Sequence, residues 1–158
     1  MRIAVTADTH GDPGSIIKCW KKLKPDLILF AGDFYKDGQS ICRELKIPGH
    51  IVAGNCDSAG RRQETIVELP AGRILLVHGH QYGVKKDLQR IYYRGRELAV
   101  NVVVFGHTHQ ALCELVDGLW LVNPGSPSRP RSGSTGTFVL IVADEDGFHP
   151  RIEALPGI

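Results

Sequence analysis

Short apolar runs, each closed by a polar residue, organise this chain. RIAVTA (2–7), DLILFAG (26–32) and GHIVAGN (49–55) are rich in β-branched residues and bounded by turn formers, the pattern of buried strands. Between the first two, Ile16, Ile17, Trp20 and Leu23 recur at helical spacing. Asp12 and Pro13 read as the N-cap and N1 of that helix, and Lys24-Pro25 ends it. Residues 39–46 predict a second, shorter helix with Ile41 and Leu45 inward. This βαβαβ order implies a parallel sheet with covering helices.

The second half has another rhythm. TIVEL (65–69) and RILLVHG (73–79) flank the turn signal Pro70-Ala71-Gly72. Val84, Leu88, Ile91 and Leu98 predict a helix over 84–98, followed by the strand NVVVFGH (101–107). ALCELV (111–116) and LWLVN (119–123) read as a hairpin around Asp117-Gly118. TGTFVLIVA (135–143) and FHPRIEAL (148–155) read as a second hairpin around 144–147. Parallel pairing is therefore expected first and antiparallel pairing later. So many strands predict an α/β fold of two packed mixed sheets flanked by helices, in a single domain over 1–158 without repeats.

Composition narrows the partners. At 158 residues a chain buries roughly 70% of its unfolded surface. A net charge of +2 gives no argument for a nucleic acid or an anionic membrane as main partner. The longest apolar run, Phe138 to Ala143, is too short to span a bilayer. The apolar stretch after Arg2 ends at Ala7, too soon for a secretory leader, so a cytoplasmic location is expected. Cys19, Cys42, Cys56 and Cys113 form no C-x-x-C pair, which predicts reduced thiols rather than a structural zinc site.

The chemistry lies where the strands end. Five of them deliver, in order, Asp8-Thr9-His10, Asp33, Asn55, His78 and His107-Thr108-His109. In open α/β sheets this edge is where ligands bind. Any one of these residues alone is commonly a cap, a turn former or a hydrogen-bonded histidine. Together they make two carboxylates, one amide oxygen and four imidazoles, a donor set suited to Mn²⁺, Fe²⁺, Co²⁺, Ni²⁺ or Zn²⁺ rather than Ca²⁺ or Cu(I). Seven donors exceed the needs of one tetrahedral ion. With one carboxylate bridging, they serve two ions with open positions left over. Two ions about 3.5–4 Å apart are the usual apparatus of phosphoryl hydrolysis.

The motifs ADTHGD (7–12), AGDF (31–34), GNCD (54–57), VHGHQYG (77–83), FGHTHQ (105–110) and VNPGSPSRPR (122–131) resemble those of the calcineurin-like metallophosphoesterases. Within that superfamily the chain is most similar to the small YfcE-like phosphodiesterases. The resemblance implies a four-layer αββα sandwich. It implies one ion on Asp8, His10 and His109, another on Asn55, His78 and His107, and Asp33 bridging them. It implies two divalent cofactors, Mn²⁺ foremost, with Ni²⁺, Co²⁺, Fe²⁺ and Zn²⁺ as substitutes. A water bridging both ions would lose its proton near neutral pH and attack a small phosphodiester in line, with Asp33, Asn55, Cys56 and His107 at the catalytic centre.

Cys56 departs from the superfamily pattern, which resembles G-N-H at this point. A thiol is a weaker donor toward phosphate than an imidazolium, so Cys56 is either a limited catalytic and substrate contact or a small filler. His80 and Arg129 are the other candidate substrate contacts, and Arg129 with Arg131 suits bidentate pairing to phosphate. Asp57 either fastens a neighbouring group or opens a surface turn. Lys85, Lys86, Arg90, Arg94 and Arg96 are expected on a solvated face, and His50 and His149 on the surface. The alternative to an enzyme is a scaffold, because the fold resembles the retromer subunit that serves protein contacts. A dedicated nuclease is disfavoured, since the chain is short and near neutral and has no long insertion between its motifs. Exposed apolar residues on the later strands suit a homodimer or homotetramer.

Overall fold

The computed structural model describes residues 1–131, 133 and 135–156. Strand β1 (Arg2–Thr6) runs parallel to β2 (Leu27–Phe30), and β2 runs parallel to β3 (Gly49–Ile51). Helices α1 (Gly14–Leu23) and α2 (Tyr35–Leu45) make the crossovers. Their apolar stripes, with Ile16, Trp20 and Ile41 at the centre, pack on Ala4, Ile28 and Phe30.

The second sheet has the order β4-β5-β6-β8-β7. Its strands are β4 (Glu64–Leu69), β5 (Gly72–Val77), β6 (Val102–Val104), β7 (Ala111–Val116) and β8 (Leu119–Pro124). Helix α3 (Gln89–Glu97) covers its outer face through Ile91, which packs with Val103 and Leu119. The last hairpin, β9 (Thr137–Asp144) and β10 (Gly147–Ala154), returns to the first sheet and places β9 antiparallel to β1. Because side chains alternate along a strand, Ile3, Val5 and Leu29 face Ile74, Leu76, Val104 and Val122 between the sheets. Two mixed five-stranded sheets, back to back with helices outside, are thus the expected α/β sandwich. Among the described residues no helix is long and apolar enough to cross a membrane.

Four local expectations change. Pro13, not Asp12, is the N-cap of α1, and its carbonyl takes the first helical bond from Ile17 at 3.0 Å. Asp12 instead donates its amide to Thr9 O at 3.0 Å and closes the turn that leaves the Asp8 loop. Helix α2 begins at Tyr35, four residues before the expected 39. Gly38 looks like a breaker in the sequence, yet it lets the helix lie against Phe30, whose ring would be 2.8 Å from an added Cβ. The stretch 84–98 is helical only from Gln89. His80–Tyr82 form a 3-10 turn, and Val84 is buried from within a loop, so its spacing reflects burial without a helix. Finally, the second half is not simply antiparallel: in the second sheet β5, β6 and β8 are parallel, with antiparallel strands at its two edges.

Candidate metal centre

All seven predicted donors meet at the C-terminal edge of the two sheets. Asp8 and His10 follow β1, Asp33 follows β2, and Asn55 follows the extended segment beyond β3. His78 follows β5, and His107 and His109 follow β6. Donor atoms of Asp8, His10 and His109 lie within 4.8 Å of one another, as do those of Asp33, His78 and His107. A third group of the same tightness joins His10, Asp33 and Cys56, so Asp33 stands between the first two. Asn55 joins through its Oδ1, 3.1 Å from His78 Nε2.

The backbone is bent to achieve this. Asp8, His10, Asp33, His107 and His109 all have positive φ, between 48° and 69°. Such values are uncommon outside glycine and gather at functional sites. Gly106 lets the His107 loop press against the Asp8 loop, because an added Cβ would lie 2.8 Å from both Ala7 Cβ and Asp8 Oδ2. The His107 amide then donates to Asp8 Oδ2 at 2.9 Å.

Two imidazoles are oriented from behind. His78 Nδ1 lies 2.7 Å from Ala31 O, and His109 Nδ1 lies 2.9 Å from Arg129 O. A carbonyl only accepts, so both Nδ1 atoms carry the proton and both Nε2 lone pairs face the centre. His78 Nε2 then confronts Asn55 Oδ1 at 3.1 Å, Asp33 Oδ1 at 3.4 Å and Asp8 Oδ1 at 3.9 Å. His109 Nε2 confronts His10 Nε2 at 3.1 Å and Asp8 Oδ1 at 3.4 Å. Asp8 Oδ1 is buried without a hydrogen-bond partner among the described residues. Acceptors crowded in this way are unfavourable by themselves and favourable around a cation. The donor set therefore fits divalent metal.

Protonation agrees. Burial, and then the charge of His78 and Lys85, pushes His107 down to about 4. Burial and His109 lower His10, and burial and His78 lower His80. Neutral imidazoles are the metal-binding form. Among the histidines His109 alone is raised, because the Asp8 carboxylate beside it outweighs its burial. Burial alone would raise Asp33, but His78 and the Cys56 amide, 2.9 Å from Oδ1, hold it below the usual carboxylate range. Cys56 is exposed at the mouth, and burial of its sulfur with Asp33 beside it pushes the thiol up to about 11. That favours the neutral S–H, a weak hydrogen-bond donor.

The centre opens into a cavity of about 360 Å³. Arg129 and Arg131 line it, as expected. Lys85, exposed as expected, lines it too, from the stretch 83–88 that is loop rather than helix. No sequence signal marks it. His80 lies behind, its ring 5.4 Å from His78 and 6.1 Å from His107, outside the lining of this cavity. His50 and His149 are exposed, as expected. Asp57 fastens the site: its carboxylate takes the amides of Tyr35 at 2.6 Å and Gly54 at 2.8 Å. Three supports escape the sequence. Asp37 accepts from Thr9 Oγ1 and the Gly11 amide, Ser126 donates to Asp8 O, and Ser128 donates to Thr9 O. The Asn-Pro-Gly-Ser loop thus straps the metal loops, a role hidden behind its more conspicuous arginines. A larger cavity of about 630 Å³ lies on the flank between α1 and β10 and includes none of the seven donors.

A back-to-back αββα sandwich with an Asp/Asn/His centre at one edge is the architecture of a metal-dependent phosphoesterase. The chain belongs to the calcineurin-like phosphoesterase superfamily, whose domain profile matches residues 1–146. It is 32% identical over 149 residues to the probable metallophosphoesterase YsnB of Bacillus subtilis, covering 92% of this chain and 86% of that one. It is 29% identical over 172 residues to the phosphodiesterase YfcE of Escherichia coli K12, covering 91% and 89%. Its fold also matches that of Vps29 from Entamoeba histolytica, solved with Zn²⁺, at a TM-score of 0.78 and 20% identity over 99% of this chain and 100% of that one.

Proposed function

We propose that this chain is a phosphodiesterase that hydrolyses small phosphate diesters at a dinuclear centre held by Asp8, His10, Asp33, Asn55, His78, His107 and His109. Mn²⁺ is the favoured metal. The observation that carries this reading is the convergence of seven donors from five strand ends: Asp8, His10 and His109 in one tight group, Asp33, His78 and His107 in another with Asn55 beside His78, and Asp33 also within reach of His10. These residues would hold two divalent cations, which would supply an acidified water and offset the charge that develops on the phosphoryl oxygens.

The chain's own residues do the rest. Ala31 and Arg129 carbonyls fix His78 and His109, so these two imidazoles need not reorient during turnover. Lys85, Arg129 and Arg131 ring the mouth with positive charge and draw in a phosphate ester. Cys56 offers a neutral S–H on the same wall. The open cavity suits a small diester, and a phosphodiesterase among the relatives supports that choice of ester. Retention of all seven donors favours catalysis over a purely scaffolding role.

The test is hydrolysis of an aryl phosphodiester and its monoester by protein stripped of metal and then supplied with Mn²⁺, Ni²⁺, Co²⁺, Zn²⁺ or Mg²⁺. Diester cleavage should return with metal, Mn²⁺ first, and fall at least about a hundredfold in Asp33→Asn. A folded protein that turns over neither ester with any of these metals would refute the reading.

A further inference from the structure

A smaller cavity of about 190 Å³ adjoins the metal centre, and Cys56 lines both. Its walls include Phe34, Tyr35, Lys36, Asp57 and Arg61. Phe34 directly follows Asp33 and sits at φ 70°, ψ 65°. A bulky residue there is a true conformational outlier. It also occupies the N-cap of α2 without a capping hydrogen bond, where Ser or Asp would supply one. Its ring is 38% exposed and meets His10 edge-on at 5.3 Å. Local stability disfavours backbone, cap and exposure alike, yet the ring is held beside the metal centre.

A second part of the lining is equally particular. The Arg61 guanidinium lies over the Tyr35 ring, 4.4 Å from its centroid. None of the ion pairs among the described residues involves Arg61. Asp57, the carboxylate in this cavity, is engaged by two backbone amides. Arg61 is therefore positioned by stacking rather than by charge. An exposed phenyl ring and a flat guanidinium are both surfaces on which a planar ring stacks. A cavity of about 150 Å³ already accepts benzene.

We propose that this cavity is the subsite for a planar aromatic arm of the ester, aryl or nucleoside, whose phosphate sits at the metal centre. Phe34 and Arg61 are its specificity-determining residues. The proposal rests on the phosphodiesterase reading of the adjoining centre.

Benzylphosphonate and ethylphosphonate test it, because both resist hydrolysis and they differ in the ring. In calorimetric titrations with Mn²⁺ present, benzylphosphonate should bind the wild-type protein about tenfold more tightly. Phe34→Ala and Arg61→Ala should each cut that preference to about twofold or less, with ethylphosphonate affinity nearly unchanged. Phe34→Tyr should restore it, and thermal melts confirm that the variants fold. Equal affinities in the wild type, failure of both phosphonates to bind, or a preference that survives both alanine substitutions would overturn the subsite. Tighter binding of 2-carboxyethylphosphonate would overturn it as well, by making the cavity an anion site. Failure of the phosphodiesterase reading looks different: no diester turnover, with ring discrimination in binding intact.

Discussion

Cys56 is the cavity residue that departs from the G-N-H pattern its motif resembles. It faces the same cavity as Asp33 and His107, yet its thiol is pushed up to about 11 and stays protonated. A sulfhydryl is a weak hydrogen-bond donor and carries no positive charge. An imidazole in its place could protonate a poor leaving group and contact phosphate. Cys56→His should therefore raise kcat for alkyl diesters by about tenfold or more and leave activated aryl esters nearly unchanged. Steady-state kinetics on a matched alkyl and aryl pair, with metal content measured, decides this; unchanged alkyl turnover at full metal loading removes Cys56 from the chemistry. The donors themselves were legible in the sequence, because each polar residue interrupts an apolar run where a strand must end. Their left-handed backbone was not, because a pattern of side chains does not report the sign of φ. Lys85 is solvated as expected, but its place at the cavity mouth is hidden for a similar reason: the apolar period of a helix runs through a stretch that forms a loop.

At the scale of elements, the site is a set of loops tied together after their strands end. The β1 and β6 loops meet where Gly106 has no side chain, and the His107 amide reaches Asp8 only across that gap. The strap through Asn123, Ser126 and Ser128 holds the same two loops from the other side: Asn123 Nδ2 donates to Gly106 O at 3.0 Å and Thr108 Oγ1 at 3.1 Å. A methyl group at position 106 would press on Ala7 and Asp8 and force the loops apart. Gly106→Ala should thus weaken metal affinity by about ten- to a hundredfold, the range for loss of a group that orients ligands. Metal-binding titrations alongside circular dichroism check this, and unaltered affinity would mean the loops are held independently of their close approach. Strands and hairpins were read well from alternation and turn residues. Helix starts were read poorly, because tertiary contact at Gly38 and the backbone turn at Asp12 outweigh the local signals.

For the whole molecule, the important fact is how the donors divide between sheets. The first sheet supplies Asp8, His10, Asp33 and Asn55; the second supplies His78, His107 and His109. Each tight group draws on both: Asp8 and His10 with His109, and Asp33 with His78 and His107. A cation in either group therefore links the two halves of the sandwich at the edge where the sheets share no strand pairing. Binding to the folded state alone raises stability by about 2.7 kcal/mol at a hundredfold excess over Kd. For a chain of this size, each kcal/mol shifts Tm by about 2–4 °C. Mn²⁺ should then raise Tm by about 5–10 °C over the stripped protein. Because the link needs donors from both sides, Asp8→Asn in the first sheet and His107→Ala in the second should each remove at least half of that gain. Scanning calorimetry with and without Mn²⁺ measures it directly. A full shift retained after loss of either donor would mean that metal binds within one sheet, and that the sandwich is joined by its apolar interior alone.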